Sequence, residues 1–252
     1  MEVGKILWAT DATQPRFKEF QRLMDLRSLG FNEVIFVQTT NVEGWQSSLA
    51  DVGMNHRLVV ADGPLVSSIL ATVRQEAVPL IAVSLDSDTG GWLRGSITRN
   101  LLRSSPVPVM ILPEDAQASE YGQDGVLAHV IFATDWSAAS EKALDYLLRF
   151  KEIIKELEIV HVIEKKLSVR DIHYLRYKLG ESRNICLDHG IDAEAHVYAG
   201  KPSEEIMLAA RDYEGTCIVM GTTGKSALKD LWSPSCSHRV AEAAAVPTLV
   251  VP

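Results

Sequence analysis

The tripeptide Ala-Thr-Asp closes two strand-like apolar runs, "KILWATD" at residues 5–11 and "HVIFATD" at residues 129–135. More of the two halves recurs in the same order. "LVVADGPLVSSIL" (58–70) resembles "AHVYAGKPSEEIM" (195–207), and "SSPVPVMILP" (104–113) resembles "AAAVPTLVVP" (243–252). Ordered recurrence along a chain marks a duplicated unit rather than chance similarity. Pro108 and Pro247 are offset by more than Asp11 and Asp135, so the first copy is the shorter one. Most of its loss falls before Pro64. The repeat therefore divides the 252 residues into two domains, 1–113 and 127–252. Both are of ordinary domain size. Residues 114–126, "EDAQASEYGQDGV", are polar, lack an apolar period and read as the linker.

Within each half, short apolar runs alternate with amphipathic stretches. The first half predicts strands over 4–10, 33–39, 57–61, 79–85 and 107–112, and helices after Pro15, over 65–76 and over 96–103. Proline is harmless at a first helical turn, where its missing N–H has no partner to lose. Gly30 is placed to stop the helix that follows Pro15. No convincing long helix lies between the second and third strands, where the deletion falls. The second half predicts strands over 129–134, 158–164, 193–199, 216–221 and 247–251, and helices over 138–153, 169–188, 203–213 and 235–244. Such alternation implies right-handed βαβ units and an α/β fold: two Rossmann-like domains, each a mostly parallel five-stranded sheet with helices on both faces. Ligands of such sheets bind at the carboxyl ends of the strands. Asp11 and Asp135 stand at that edge.

Composition excludes several classes of function. A net charge of −8 opposes a general phosphate-backbone binder, so no nucleic-acid partner is expected. No run approaches the roughly 18 apolar residues of a membrane span. The opening "MEVGKILWATD" lacks a signal-peptide layout, and the three cysteines (Cys186, Cys217, Cys236) form no CxxC. Free thiols in a reducing cytoplasm are the expectation. The seven histidines show no spacing of the HExxH kind, so no metal site is expected. His161 reads as a hydrogen-bonded core residue. No Ser-His-Asp set or Gly-x-Ser-x-Gly elbow is present, so no catalytic residues are assigned. Gly224-Lys225-Ser226 imitates the end of a Walker A loop, but Val219 occupies the place of that motif's first glycine.

The segment richest in chemistry is "MGTTGKSALKDLWSPSCSHRVAEAAAVPTLVV" at the C-terminus. Gly221 and Gly224 sit at the mouth of a strand, and Ser235 and Ser237 open the next helix. Glycine permits close backbone approach, and a helix N-terminus offers free N–H groups to an anion. With Asp135, these residues resemble the motif of nucleotide-binding universal stress protein domains: an Asp after the first strand, then Gly-x-x-Gly, nine residues (225–233), and a Gly-Ser or Gly-Thr pair. "AGKP" at 199–202 and the terminal "VPTLVV" fit the same family. The resemblance covers residues 127–252; over 1–113 it rests mainly on the repeat.

That resemblance implies an adenine nucleotide alpha hydrolase-like fold and binding of ATP or AMP, with magnesium only alongside ATP. Ala133, Thr134, Asp135 and Val162 would line the adenine and ribose end. Met220, Gly221, Thr223 and Gly224 would line the ribose–phosphate path. Ser235, Cys236 and Ser237 would meet the phosphates through N–H and hydroxyl groups. The departure is Pro234, which stands where the family has glycine and has no N–H to donate. In the first half, Ala9, Thr10, Asp11, Gly95, Ser96 and Thr98 form a possible second site. There Ser84 and Ser87 replace the two glycines. The resemblance further implies a nucleotide-dependent regulatory or interaction protein of the stress response. Its two halves would form a pseudo-dimer, chains would pair as homodimers, and a protein partner of unknown identity would read the state. A nucleotide-free interaction module is the alternative, and a slow ATPase or phosphotransferase ranks last.

Overall fold

A computed structural model describes residues 4–10, 23–38, 54–84, 91–113, 125–222 and 235–252. The chain divides into two compact units, Met1–Ala116 and Gln117–Pro252. In the first, β1 (Gly4–Thr10) leads to a 3-10 turn (Met24–Leu29), β2 (Phe31–Gln38), β3 (Asn55–Val60), α1 (Leu65–Glu76), β4 (Leu80–Ser84), α2 (Gly91–Ser104) and β5 (Val109–Leu112). The strands lie in the order β3-β2-β1-β4-β5 and every pairing is parallel.

The second unit contains β6 (His129–Ala133), α3 (Ala138–Leu147), β7 (Glu156–Ile163), α4 (Val169–Asp188), β8 (Asp192–Ala199), α5 (Pro202–Asp212), β9 (Cys217–Gly221), α6 (Ser235–Ala243) and β10 (Thr248–Val251). Its strands run β8-β7-β6-β9-β10, again all parallel. This is the order of the first unit repeated strand for strand. In both, the order reverses beside the first strand. Right-handed crossovers therefore place α3 and α4 on one face of the second sheet and α5 and α6 on the other. The latter two pack side by side. The reversal leaves a crevice beyond the carboxyl ends of β6 and β9.

Burial follows sheet position. The central strands are apolar and covered on both faces: Val130, Ile131, Phe132, Ile218, Val219, Leu249 and Val250 are all essentially inaccessible. The edge strands β3 and β8 are half exposed and carry the polar residues. Local signals set the helix starts. Ser137 caps α3 by accepting the Ser140 N–H at 3.3 Å. Ser168 and Asp171 form a reciprocal capping box on α4. Pro202 occupies the first turn of α5. Gly30 ends the 3-10 turn in a left-handed conformation (φ 92°), as its placement in the sequence implies.

Most described elements fall within two residues of the sequence reading, and two helix boundaries differ by more. The helix expected over 138–153 stops at Leu147 and tightens into a 3-10 turn, Leu148–Phe150. The tightening accompanies burial of Phe150, which meets the Tyr146 ring edge-on at 5.2 Å. The helix expected from residue 96 begins at Gly91. Leu93, Ile97 and Leu101 carry the helical period back to that point. The region between β2 and β3, read as having lost a helix, lies outside the described residues, as does the first part of the helix expected after Pro15; the last part of that helix is the 3-10 turn Met24–Leu29.

Candidate functional site

The second unit's crevice is built on the turn after β6. Ala133 pairs in register with Met220 of β9 and Val160 of β7, and all three are buried. Thr134 continues the strand, donating its N–H to the Val160 carbonyl at 3.0 Å. Its hydroxyl is buried. It donates to Ser140 Oγ at 3.1 Å and accepts the Trp136 N–H at 3.0 Å. Asp135 then turns the chain, its Oδ1 accepting the Ser137 N–H at 3.0 Å. An acidic residue followed by a Ser N-cap thus fixes the strand-to-helix turn with side-chain bonds. Val162 lies near the end of β7, which runs beyond β6 at this edge.

Gly221 ends β9 beside this turn. A Cβ on it would run into the Ala139 backbone and lie 2.7 Å from the Ser140 nitrogen. The first turn of α3 therefore rests directly on the end of β9. This glycine is required by helix packing, in addition to any approach by a ligand. Thr222 then donates its N–H to the Val251 carbonyl at 2.7 Å. Thr223, Gly224 and Pro234 lie outside the described residues. Ser235 is the first residue of α6, and Cys236 and Ser237 in the same turn are buried. Burial pushes the Cys236 thiol up to about 12, and the carboxylates of Asp135 and Glu164 add to the rise.

A pair of aromatic residues, Trp136 and His161, is tied to the Thr134 turn. The Trp136 and His161 rings stack at 4.2 Å. Trp136 has φ 56°, a left-handed conformation rare for a bulky residue. Its indole N–H donates to Ser182 Oγ of α4 at 3.1 Å. His161 Nδ1 lies 2.9 Å from the Thr134 carbonyl, which only accepts, so Nδ1 carries the proton. His161 is therefore a hydrogen-bonded strand residue, as its sequence context implies. Trp136 was not singled out from sequence. Its position directly after Asp135 was the available signal.

The His161 imidazole has a second consequence. Burial pushes its pKa below the ordinary value, outweighing the Thr134 carbonyl and the Asp135 charge, which raise it. The unfolded value is about 6.5, so the folded state binds fewer protons than the unfolded one. Its stabilising contribution is complete above about pH 6.5 and is lost as pH falls through the lower folded value. The thermal midpoint should fall on acidification below that point. His161→Asn, which keeps a donor for Thr134, should show a shallower fall. Equal slopes for the two proteins would remove His161 as the source.

In the first unit, Ala9 is buried and pairs with Val83, while Thr10 pairs with Ser84. Ala133 pairs with Met220 in the second unit, so Ser84 holds the place of Gly221, as the aligned sequences indicate. Asp11 lies outside the described residues. Gly95 and Ser96 do not open a helix as the second-site reading requires. They fall in the second turn of α2, where N–H groups are committed to intrahelical bonds. Thr98 is buried.

These elements agree with comparisons to known proteins. The profile of the universal stress protein family matches residues 127–252. The chain belongs to the universal stress protein family. It is similar to universal stress protein YxiE of Bacillus subtilis, with 30% identity over 143 residues, covering 48% of this chain and 97% of that protein. Universal stress protein Slr1230 of Synechocystis is 21% identical over 263 residues, covering 97% of this chain and 88% of that one. A crystal structure of a universal stress protein from Archaeoglobus fulgidus shares the fold with a TM-score of 0.73 at 21% identity, over 99% of this chain and 96% of that one. Like such proteins, the chain is built from parallel α/β units. Among the described residues no helix is long and apolar enough to cross a membrane.

Proposed function

We propose that this universal stress protein binds an adenine nucleotide, ATP or AMP, in its second unit and acts as a nucleotide-dependent regulator of a protein partner. The observation that carries this reading is the placement of Asp135, the Gly221 strand end and the opening of α6 around the carboxyl edge of the sheet. A carboxylate suits the amine and hydroxyl donors of adenosine, and free N–H groups at a helix start suit phosphate oxygens. The residues present fit such a ligand. Magnesium would enter only with the phosphates of ATP. The first unit is a degenerate copy in this reading and serves as a structural partner within a pseudo-dimeric chain. Chains pair further as homodimers in the cytoplasm.

Calorimetric titration of the full chain with ATP, ADP and AMP tests the proposal. Saturable binding with a rise in thermal midpoint is expected. At a hundred times the dissociation constant, the linked stabilisation is about 2.7 kcal/mol. Neither heat nor thermal shift at millimolar nucleotide would instead support a nucleotide-free interaction module. One observation favours that second reading: Asp135 and Gly221 both have local structural work, in the turn and against α3.

A further inference from the structure

A second cluster of chemical side chains lies toward the opposite ends of the strands. Glu158 of β7 is 7% exposed, a carboxylate set within a buried strand. One of its oxygens meets His129 Nε2 of β6 at 3.0 Å, and the other meets His196 Nε2 of β8 at 2.6 Å. Tyr213, just after α5, fixes the His196 ring from behind, its hydroxyl 2.9 Å from Nδ1. Glu194 completes the group, with Oε2 3.9 Å from the same His196 Nε2. Glu156 lies 3.6 Å from His129 Nδ1.

The charge of this cluster is unbalanced. Glu158 and Glu194 are register partners on adjacent parallel strands, so two carboxylates stand side by side on one sheet face. Like charges so placed repel. Glu156 adds a third carboxylate beyond His129. With neutral imidazoles, hydrogen bonds satisfy Glu158 while its carboxylate keeps its negative charge beside that of Glu194.

The geometry points to a divalent metal site formed by Glu158, Glu194 and His196, with a zinc-class ion as its ligand. Their ligand atoms lie within 4.8 Å of one another. Ligands of a tetrahedral zinc with bonds near 2.0–2.1 Å stand about 3.3 Å apart. The present separations of 2.6 and 3.9 Å at His196 Nε2 bracket that value. An ion entering between the carboxylates takes the Nε2 lone pair. The imidazole proton moves to Nδ1 and is then donated to the Tyr213 oxygen, so the ring stays neutral. Such an orienting partner is the usual companion of a ligating histidine. His129 remains on the other oxygen of Glu158 and holds that carboxylate in place. The Glu194 side chain is 72% exposed on an edge strand, which gives the ion a path from solvent and leaves room for a water as fourth ligand. Three ligands from two strands, backed by the residue that ends α5, would tie the edge of the sheet to its covering helix.

The full chain, stripped with chelator, should bind one zinc ion per chain in calorimetric titration, and magnesium far more weakly. Glu194→Gln removes a ligand charge at an exposed position, so the fold should survive. It should weaken zinc binding at least tenfold, as should His196→Gln. Asp135→Asn, at the other end of the strands, should leave zinc binding unchanged, which separates this site from the nucleotide crevice. Absence of zinc uptake by the wild-type chain would reduce the cluster to a carboxylate–imidazole network. Undiminished zinc binding by a correctly folded Glu194→Gln chain would place the ion elsewhere. Either result overturns the assignment.

Discussion

Gly221→Val should lower the thermal midpoint of the second unit by several degrees and weaken any ligand binding at its crevice. The new Cβ would strike the backbone of Ala139 and Ser140, not a side chain that can turn away. The whole first turn of α3 must therefore retreat. With it would go the Ser137 cap and the buried hydroxyl pair of Thr134 and Ser140. Overpacking of this kind costs about 1–3 kcal/mol. In a chain of this size that corresponds to roughly 2–4 °C per kcal/mol. Thermal scans followed by circular dichroism measure it. An unchanged midpoint would mean that α3 does not rest on β9. Ser84→Gly, the reciprocal change in the first unit, should have a much smaller effect, because that position already accommodates a side chain.

Asp135→Asn should leave the fold intact and reduce nucleotide affinity by tenfold or more. Asparagine keeps an oxygen to accept the Ser137 N–H, so the turn before α3 is preserved. What it loses is the charge. A hydrogen bond to a charged group contributes about 1.5–3 kcal/mol, which corresponds to a factor of ten or more in the dissociation constant. Asp135→Ala should lose both the turn and the binding. The comparison of the two separates a structural role from a binding one. Equal affinity in wild type and Asp135→Asn would mean that nucleotide, if bound, is held elsewhere.

The architecture was legible because it is local. Apolar runs and helical periods are properties of contiguous residues, and they occur twice in the same order along the chain. Expected strands and helices over residues such as 65–76 and 169–188 coincide with α1 and α4. The turn around Asp135 was legible for the same reason. What escaped sequence reading is assembled across strands. The Glu158 cluster draws its members from β6, β7 and β8, and no spacing rule along the chain links them. A faint signal existed: Glu156 and Glu158 interrupt β7, which is otherwise mostly apolar. The stacking of Trp136 on His161 was hidden likewise, because it depends on how far β7 extends past β6.

The left-handed backbone at Trp136 is held by finely balanced contacts. That conformation costs about 1–2 kcal/mol for a residue with a Cβ. The ring stack returns about 0.5–1.5 kcal/mol and the Ser182 hydrogen bond about 1 kcal/mol. Opposing quantities so close in size mean that the indole keeps its place only while the His161 stack and the Ser182 bond both hold. Loss of either contact would free the Trp136 indole and cut the tie it makes between the Asp135 turn and α4.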